Sequence, residues 1–267
     1  MLRDYPPAMP WAIIQIRKEW FALAAQDVRE MLRVPDVTRV PNVPDYVRGV
    51  IDLRGQVLSL IDLRRRLGMT SADDEIESFQ GLMAQREQDH RKWLAELEAS
   101  VKERREFALT TDPHKCAFGK WYDAYQPENA WVAALLKKFD EPHKKIHGTG
   151  AEVKMLVGAG DCEKAAQLIE NKGKTLLSAM IELFADLKSL VKEVRHEIAV
   201  VLVVSGKTFA VCADAAIAVE KSAPGSLEPL PAEAAMDYGG VVQRAVRRMK
   251  DAKLLLIIEA DRLLERS

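Results

Sequence analysis

Two stretches with the apolar pattern of β-strands are separated by one long stretch with the pattern of α-helices, and this order constrains the fold most. From Trp11 to Leu67 the apolar residues fall in short runs, which proline and glycine interrupt too often for helices. Residues 71–197 are rich in Glu, Lys, Arg, Ala and Leu, and their apolar positions have helical spacing. From Ile198 onward the β pattern returns. The chain is therefore expected to belong to the α+β class.

Strands are predicted on both sides of the helical stretch, because short runs of apolar and β-branched residues are bounded there by turn residues. The first side has a turn at Arg54–Gly55, and the second has a hairpin turn at Ser205–Gly206. A loop is predicted around Pro224–Pro231 and a short terminal helix over Glu259–Ser267. The predicted strands are Ile13–Ile16, Trp20–Leu23, Val50–Leu53, Val57–Ile61, Ala199–Val204, Thr208–Cys212 and Leu254–Ile258.

Two long helices and several shorter pieces are predicted in the central stretch. Phe79–Phe107 and Cys162–Val194 are free of proline and have apolar residues three, four, seven or eight apart. Asp112 is expected to cap a helix, because Pro113 follows it at the first helical position. Asp140 is expected to begin another helix in the same way, and Gly158–Gly160 to end it.

This order of elements has two interpretations. Three separate domains would leave each flank as a small β domain with a thin core. An insertion is simpler, because a bundle with an even number of long helices returns its ends to the same side of the parent domain. We favour the insertion, with one β domain formed by residues 1–75 and 198–267 and a helical bundle formed by residues 76–197.

Composition excludes several classes of function. The formal net charge of -1 offers no general attraction to nucleic acid or to an anionic membrane. No apolar stretch is long enough to cross a bilayer, and Asp4, Pro6, Pro7 and Pro10 interrupt the region where a signal peptide would need an apolar core. We therefore expect a cytoplasmic protein whose three scattered cysteines are reduced.

A metal site is predicted from three histidines and one cysteine. His143 and His147 are four residues apart on a predicted helix, so both rings project from one face. Cys116 follows the predicted helix start at Asp112, where the helix dipole favours the thiolate that binds metals. His90 lies within the first long helix. Three imidazoles and one thiolate complete a tetrahedral zinc shell and leave no position for an activated water.

Spacing alone leaves an incidental arrangement equally open. Most histidine pairs four residues apart in helical proteins bind nothing, and a lone cysteine near a helix start usually fills a core. His90 could equally be a surface residue. Residue types and spacing therefore do not separate a four-ligand site from ordinary packing.

The sequence around these residues resembles the chemoreceptor zinc-binding (CZB) family over residues 79–195. The motifs are His90-x-x-Trp93, Cys116-x-Phe118-Gly119-x-Trp121-Tyr122 and His143-x-x-x-His147. The resemblance implies a four-helix bundle in which His90, Cys116, His143 and His147 bind Zn²⁺. It also implies that Trp93, Phe118 and Trp121 form an apolar shell around the ion. His114, Cys162 and His196 match no ligand of the family, and Cys212 is expected to lie in the core of a strand.

The flanking β stretches resemble the CheW-like coupling family over residues 11–70 and 198–265. That family folds as two small SH3-like β-barrels packed together, so the resemblance implies a split double barrel around the inserted bundle. The matching blocks are Trp20–Leu23, Val28–Glu30, Val40–Pro44, Tyr46–Gly55, Ile61–Arg64, Gly206–Val211 and Asp214.

By the same resemblance, Val28, Glu30, Gly49 and Arg54 fall where the family contacts its partners, the cytoplasmic domain of a chemoreceptor and a chemotaxis histidine kinase. Simple turn chemistry is an equally good account of Gly49. A local salt bridge is the alternative for Arg54, although interaction is favoured there. The large helical insertion is a departure from the family and adds bulk that could block some of these contacts.

Together the resemblances imply a chemotaxis signalling adaptor without enzymatic activity, whose zinc–thiolate centre responds to zinc or to an oxidant such as hypochlorous acid. A scaffold with a purely structural zinc ion is the second hypothesis. A zinc hydrolase is the third, and it requires an open coordination position and a general base that the motifs do not supply. Contact with nucleic acid and direct membrane insertion are not expected.

Overall fold

The computed structural model describes residues 3–6 and 9–265 and divides the chain into two compact units. One unit contains the residues up to Asp74 together with those from His196 onward, and the other is Glu75–Arg195. These boundaries lie within two residues of the sequence-based ones. The chain is thus a mixed α+β protein in which a helical unit interrupts a β unit.

The first part of the β unit contains five strands and one short helix. Arg54 and Gly55, at the predicted turn, both have positive φ, of 54° and 84°, as a tight two-residue hairpin turn requires. The elements are β1 (Pro10–Ile16), β2 (Glu19–Ala24), β3 (Val28–Arg33), β4 (Val47–Leu53), β5 (Gln56–Asp62) and α1 (Leu63–Arg66).

The helical unit differs from the prediction at the ends of its helices. The first long helix begins earlier than predicted and ends at Lys102, because Arg104 adopts a φ of 54° and the amide of Arg105 bonds back to the carbonyl of Ser100. A π-helical segment, Ile169–Gly173, interrupts the second long helix. The elements are α2 (Ala72–Lys102), α3 (Ala117–Ala124), α4 (Ala130–Lys137), α5 (Asp140–Gly158), α6 (Cys162–Leu168) and α7 (Lys174–Glu193).

The second part of the β unit contains the predicted hairpin, with Ser205 and Gly206 at φ of 50° and 77°. It also contains three strands and one short helix that the sequence did not indicate. The predicted terminal helix is a single 3-10 turn at Ala260–Arg262, and the last two predicted residues lie outside the described part of the chain. The elements are β6 (Ile198–Val204), β7 (Lys207–Ala213), β8 (Ala215–Lys221), β9 (Glu228–Pro229), α8 (Ala232–Asp237), β10 (Val242–Arg247) and β11 (Leu254–Ile258).

Both sheets combine strands from the two parts of the β unit. The six-stranded sheet has the order β8-β1-β2-β11-β10-β9, and the five-stranded sheet has the order β3-β6-β7-β5-β4. The parallel pairs β2–β11 and β5–β7 join the two parts directly. Neither part supplies all the strands of either sheet, so the two parts of the β unit form both sheets together.

Each unit has its own apolar core. The largest core of the β unit takes residues from both sides of the insertion, among them Phe21, Leu63 and Val211. The core of the helical unit includes Leu97, Phe118 and Phe184. Among the described residues, no helix combines the length and the apolar character that spanning a membrane requires.

Candidate metal centre

The four residues predicted as metal ligands come together inside the helical unit. One donor atom from each of His90, Cys116, His143 and His147 lies within 4.8 Å of the others. The histidines are buried, with exposed fractions of 3%, 5% and 0% for His90, His143 and His147, and Cys116 is half-buried. Donors at bond lengths of about 2.0–2.3 Å around one tetrahedral ion would be roughly 3.3–3.8 Å apart, so a small inward adjustment suffices.

Helix α5 supplies two of the histidines. His143 and His147 lie one turn apart on its buried face, and their ring centroids are 4.9 Å apart. Asp140 is the first helical residue of α5, and Phe139 rather than Asp140 occupies the cap position. The helix therefore begins at Asp140 as predicted, although Asp140 does not cap it.

The helix start predicted at Asp112 is wrong, and Cys116 itself caps the helix. The Asp112 carboxylate accepts a hydrogen bond from the His114 amide at 3.0 Å, which makes a local turn instead. Helix α3 then begins at Ala117, and the Cys116 sulfur accepts a hydrogen bond from the Gly119 amide at 3.1 Å. Cys116 therefore has a fixed position at the end of a helix, with a backbone N–H directed at its sulfur.

Two glycines permit this arrangement by their lack of a side chain. A Cβ at Gly119 would lie 1.8 Å from the carbonyl oxygen of Pro113, so only glycine lets α3 approach the preceding turn. A Cβ at Gly150 would lie 2.6 Å from the ring of Trp93. The glycine of the cysteine motif is therefore a packing requirement of the turn that carries Cys116.

Unsatisfied buried nitrogens show that the cluster suits a metal ion. The Nδ1 atom of His90 donates to the carbonyl oxygen of Arg86 at 2.8 Å, which leaves its buried Nε2 without a partner. Neither ring nitrogen of the fully buried His147 makes a hydrogen bond of normal geometry. The Nε2 atom of His143 lies 3.2 Å from the Cys116 sulfur. Buried polar atoms without partners are costly, and one cation among them would satisfy one nitrogen of each imidazole ring.

Burial keeps the imidazoles in the neutral form that binds metals. It lowers the pKa of His143 to about 3, with further contributions from His90 and His147, and lowers the pKa of His147 to about 4. Burial also lowers the pKa of His90. The pKa of the Cys116 thiol is raised by burial, and the amides of Gly119 and Phe118 oppose that shift.

We expect the metal-free protein to lose stability as the pH falls below about 6.5, the ordinary pKa of histidine. The folded pKa values of His143 and His147 lie below that of the unfolded chain, so the unfolded chain takes up protons first. Their contribution is complete above pH 6.5 and is lost progressively as the pH falls toward 3, by about 1.4 kcal/mol per group and pH unit.

Denaturant unfolding of the metal-free chain between pH 7.5 and 5 measures this effect. The double variant His143→Gln, His147→Gln is the control, and its stability should depend less on pH. Equal slopes for the two proteins would contradict the expectation.

Aromatic rings enclose the four residues. The Trp93 ring lies 4.9 Å from that of His147, and its Nε1 donates to the carbonyl oxygen of Thr110 at 2.8 Å. Phe118 lies 5.0 Å from His143 and 5.7 Å from His90, between ring centroids.

The other predicted shell residue, Trp121, has ring contacts with Phe79, Phe118 and Tyr125, so it lies one ring further from the ligands. Sequence reasoning missed Phe184, whose ring lies 6.2 Å from that of His90. Phe184 lies on the buried face of α7, and its apolar spacing in the sequence is that of any core residue, so nothing marked it as a neighbour of His90.

The remaining cysteines and histidines lie elsewhere. His114 is exposed, and its Nδ1 lies 2.8 Å from the carboxylate of Asp123. Cys162 packs at the edge of the helical core, and Cys212 is buried in β7 as expected. Both cysteines and His196 lie outside the four-residue group.

The four residues predicted to contact partners lie in the five-stranded sheet and its hairpin turn. Val28 and Glu30 are half-buried in β3, and Arg54 is 80% exposed with its guanidinium 3.0 Å from the Glu30 carboxylate. Gly49 is buried in β4, where a Cβ would lie 2.3 Å from the carbonyl oxygen of Thr38. Gly49 can therefore affect a partner only through the shape of its strand.

Two family models match the chain, one after the other along the sequence. A model of the CheW-like domain matches residues 11–91, and a model of the chemoreceptor zinc-binding domain matches residues 90–154. The second β stretch lies outside both ranges, and its strands complete the sheets that the first stretch begins. The zinc-binding domain is a metal-binding domain, and all four candidate ligands lie within its matched range.

Curated relatives agree with the first match. A probable chemotaxis protein CheW of Rhizobium etli is 44% identical over 59 residues, which cover 22% of this chain and 38% of the relative. Chemotaxis protein CheW of Helicobacter pylori is 41% identical over 54 residues, which cover 20% of this chain and 33% of the relative. The chain thus spans little more than a third of the length of these relatives.

A solved structure, the scaffolding protein TtCheW from Thermoanaerobacter tengcongensis, aligns with a TM-score of 0.46 and 13% identity, covering 100% of this chain and 94% of that one. With a TM-score and an identity this low, the structural likeness adds no support to the family matches. Those two matches, adjacent along the sequence, show that the chain carries a CheW-like domain and a chemoreceptor zinc-binding domain.

Proposed function

We propose that this protein is a cytoplasmic chemotaxis adaptor, without enzymatic activity, that links the cytoplasmic domain of a chemoreceptor to a chemotaxis histidine kinase. The observation that carries the proposal is a compact group of four metal-binding side chains inside a unit inserted into a CheW-like domain. The names of the relatives, all chemotaxis proteins CheW, support the partners. Val28, Glu30 and Arg54 are the proposed partner-contacting side chains, beside the buried Gly49.

The ion proposed for the four-residue group is Zn²⁺. Neutral imidazoles and a thiolate are ligands that zinc prefers, whereas magnesium and calcium require oxygen. His90 would bind through Nε2, since its Nδ1 is occupied by the carbonyl of Arg86. Bound zinc would favour the thiolate form of Cys116 and join α2, α3 and α5 at one point.

Cys116 is the proposed sensory residue. It is half-buried, whereas the three histidines are buried, so a small oxidant reaches the sulfur most readily. Its thiolate would attack hypochlorous acid, forming a sulfenic acid with release of chloride. The oxidised sulfur is a poorer metal ligand, so oxidation would weaken the site that holds the three helices together.

A purely structural zinc ion is the second candidate, and the burial of the three histidines favours it. Such an ion would exchange slowly and would leave partner binding unaffected by chelators.

The hydrolase hypothesis is weaker, because four protein donors fill a tetrahedral shell and leave no position for a nucleophilic water.

Replacing Cys116 with serine is expected to lower zinc retention by at least about tenfold and to abolish the response to hypochlorous acid. Zinc content and capture of receptor and kinase fragments are measured before and after oxidant treatment. Cys162→Ser is the matched control, because Cys162 is also a partly exposed free cysteine of the helical unit. A Cys116→Ser protein that keeps both its zinc and its oxidant response would disprove the sensory role.

A further inference from the structure

Arg48 occupies an irregular position in strand β4. In the pairing of β4 with β5, Val47 lies opposite Ile61 and Gly49 lies opposite Leu60, so Arg48 is an extra residue in the ladder. Such a bulge redirects the side chain of the extra residue. Gly49 follows with a φ of 149° and packs against the backbone of Thr38. The backbone here is therefore shaped to direct the arginine.

The guanidinium of Arg48 contacts two carboxylates far apart in the sequence. Its Nη1 lies 2.5 Å from the Glu197 carboxylate, and its Nε and Nη2 lie 3.2 and 3.3 Å from the two oxygens of Asp73. The side chains of Arg48 and Glu197 are 19% and 8% exposed. One largely buried cation therefore balances both acids.

The two acids stand where the chain leaves the β unit and where it returns. Asp73 is the second residue of α2, which continues into the helical unit, and Glu197 directly precedes β6. Asp74 is held separately by Arg65, at 2.8 and 3.0 Å. The return segment is held further by a hydrogen bond from the Val34 amide to the carbonyl of Glu197, at 3.1 Å.

The outgoing segment contacts β4 through Arg48, and the returning segment continues into β6, the neighbour of β3. Strand β4 runs from Arg48 to the turn that holds Arg54. Strand β6 begins after Glu197 and pairs with β3, where Val201 lies opposite Glu30. A displacement at Asp73 or Glu197 therefore has a short path to each partner-contacting strand.

We propose that Arg48 is the residue through which the state of the metal centre is transmitted to β3 and β4. The inference rests on the proposed function of the centre. The guanidinium satisfies both carboxylates only while the outgoing and returning segments keep their present spacing. A shift of either segment breaks one of the ion pairs of this largely buried guanidinium, so β4 and β6 are expected to adjust together.

Hydrogen exchange of the full chain, with and without zinc, tests this role. In the wild type, zinc is expected to change the protection of amides in Val28–Arg33 and Val47–Leu53 by about tenfold. In Arg48→Met the zinc-dependent change should fall below about twofold, with zinc stoichiometry unaltered. Arg65→Met is the matched control, because Arg65 holds Asp74, the acid next to Asp73 at the start of α2.

Each result has a separate meaning. A wild-type chain that binds no zinc would overturn the proposed function together with this inference. A wild type that binds zinc without any change in β3 and β4 would overturn transmission alone, and so would an Arg48→Met protein that keeps the wild-type change. If Arg48→Met does not fold, Glu197→Gln retains the shape of the side chain while removing its charge, and the same loss is expected.

Discussion

Replacing His147 with alanine is expected to lower zinc affinity by at least about 100-fold, so that the purified protein retains almost no zinc against a competing chelator. His147 is fully buried and neither of its ring nitrogens makes a hydrogen bond of normal geometry, so a bound metal ion would supply the partner that the ring lacks. Removing even an indirect support of a metal ligand costs 10- to 100-fold in affinity, and the loss of a ligand itself should cost more. Zinc content after dialysis and competition titration measure the effect.

His114→Ala is the matched control for this prediction. His114 lies two residues from Cys116, but its side chain is exposed and pairs with Asp123. Its removal should leave the zinc content unchanged. Because alanine at position 147 also leaves a cavity, the metal-free forms should be compared by denaturant unfolding. One tightly retained zinc ion per folded chain in the His147→Ala protein would show that His147 is not a zinc ligand.

Replacing Gly119 with alanine is expected to destabilise the helical unit by about 3 kcal/mol, the upper end for overpacking. The added Cβ would lie 1.8 Å from the Pro113 carbonyl oxygen and 3.1 Å from the Cα of His114. Both atoms belong to the backbone, so the turn before α3 must move. Zinc retention should fall as well, because the Gly119 amide fixes the Cys116 sulfur. Denaturant unfolding of the metal-free protein measures the first effect.

Gly81→Ala provides the comparison. Gly81 lies inside α2, and no atom lies within 4 Å of a Cβ added there. Alanine at this site should stabilise the protein by about 1 kcal/mol, because it favours the helix more than glycine does. If Gly119→Ala unfolds at the same denaturant concentration as Gly81→Ala, the close approach of α3 to Pro113 does not constrain this turn.

The four-residue group could be predicted because its members combine rare residue types with motif spacing. Only five histidines occur in the chain, and three of them belong to the group. Spacing alone left an incidental arrangement open, and the aromatic and glycine residues around Cys116 made the resemblance specific. The structure then supplies a physical reason for one of them, since Gly119 has no room for a side chain.

The start of α3 could not be predicted from capping preferences. Asp112 followed by Pro113 is a sound signal for a helix start, but here the aspartate serves a turn that ends before the helix begins. A cysteine is an uncommon cap, but here its sulfur accepts the Gly119 amide and lies 3.2 Å from the Nε2 atom of His143. The capping preference therefore failed at Cys116, the residue with the proposed sensory function.

Strands of the second β stretch were missed for two reasons. Strand β8 is rich in alanine and lies at the edge of its sheet, so its apolar residues do not alternate with polar ones. Strand β10 contains Arg244, a charge that ordinarily marks an exposed position. This arginine is buried, with its Nε 2.7 Å from the carboxylate of Glu259. A charge neutralised by a distant partner cannot be distinguished in sequence from a solvated one.

The exchange of strands between the two ends of the chain has a consequence for biosynthesis. Neither sheet can be completed until residues beyond the helical unit have left the ribosome, whereas that unit is compact, has its own core and can fold first. Asp73 and Glu197 are near enough to share one guanidinium, so the folded unit holds the ends of the growing β domain together. Each tenfold reduction in effective loop length relieves about 2 kcal/mol of chain entropy. Early folding of the helical unit therefore lowers the entropy cost of pairing strands from the two sides of the insertion.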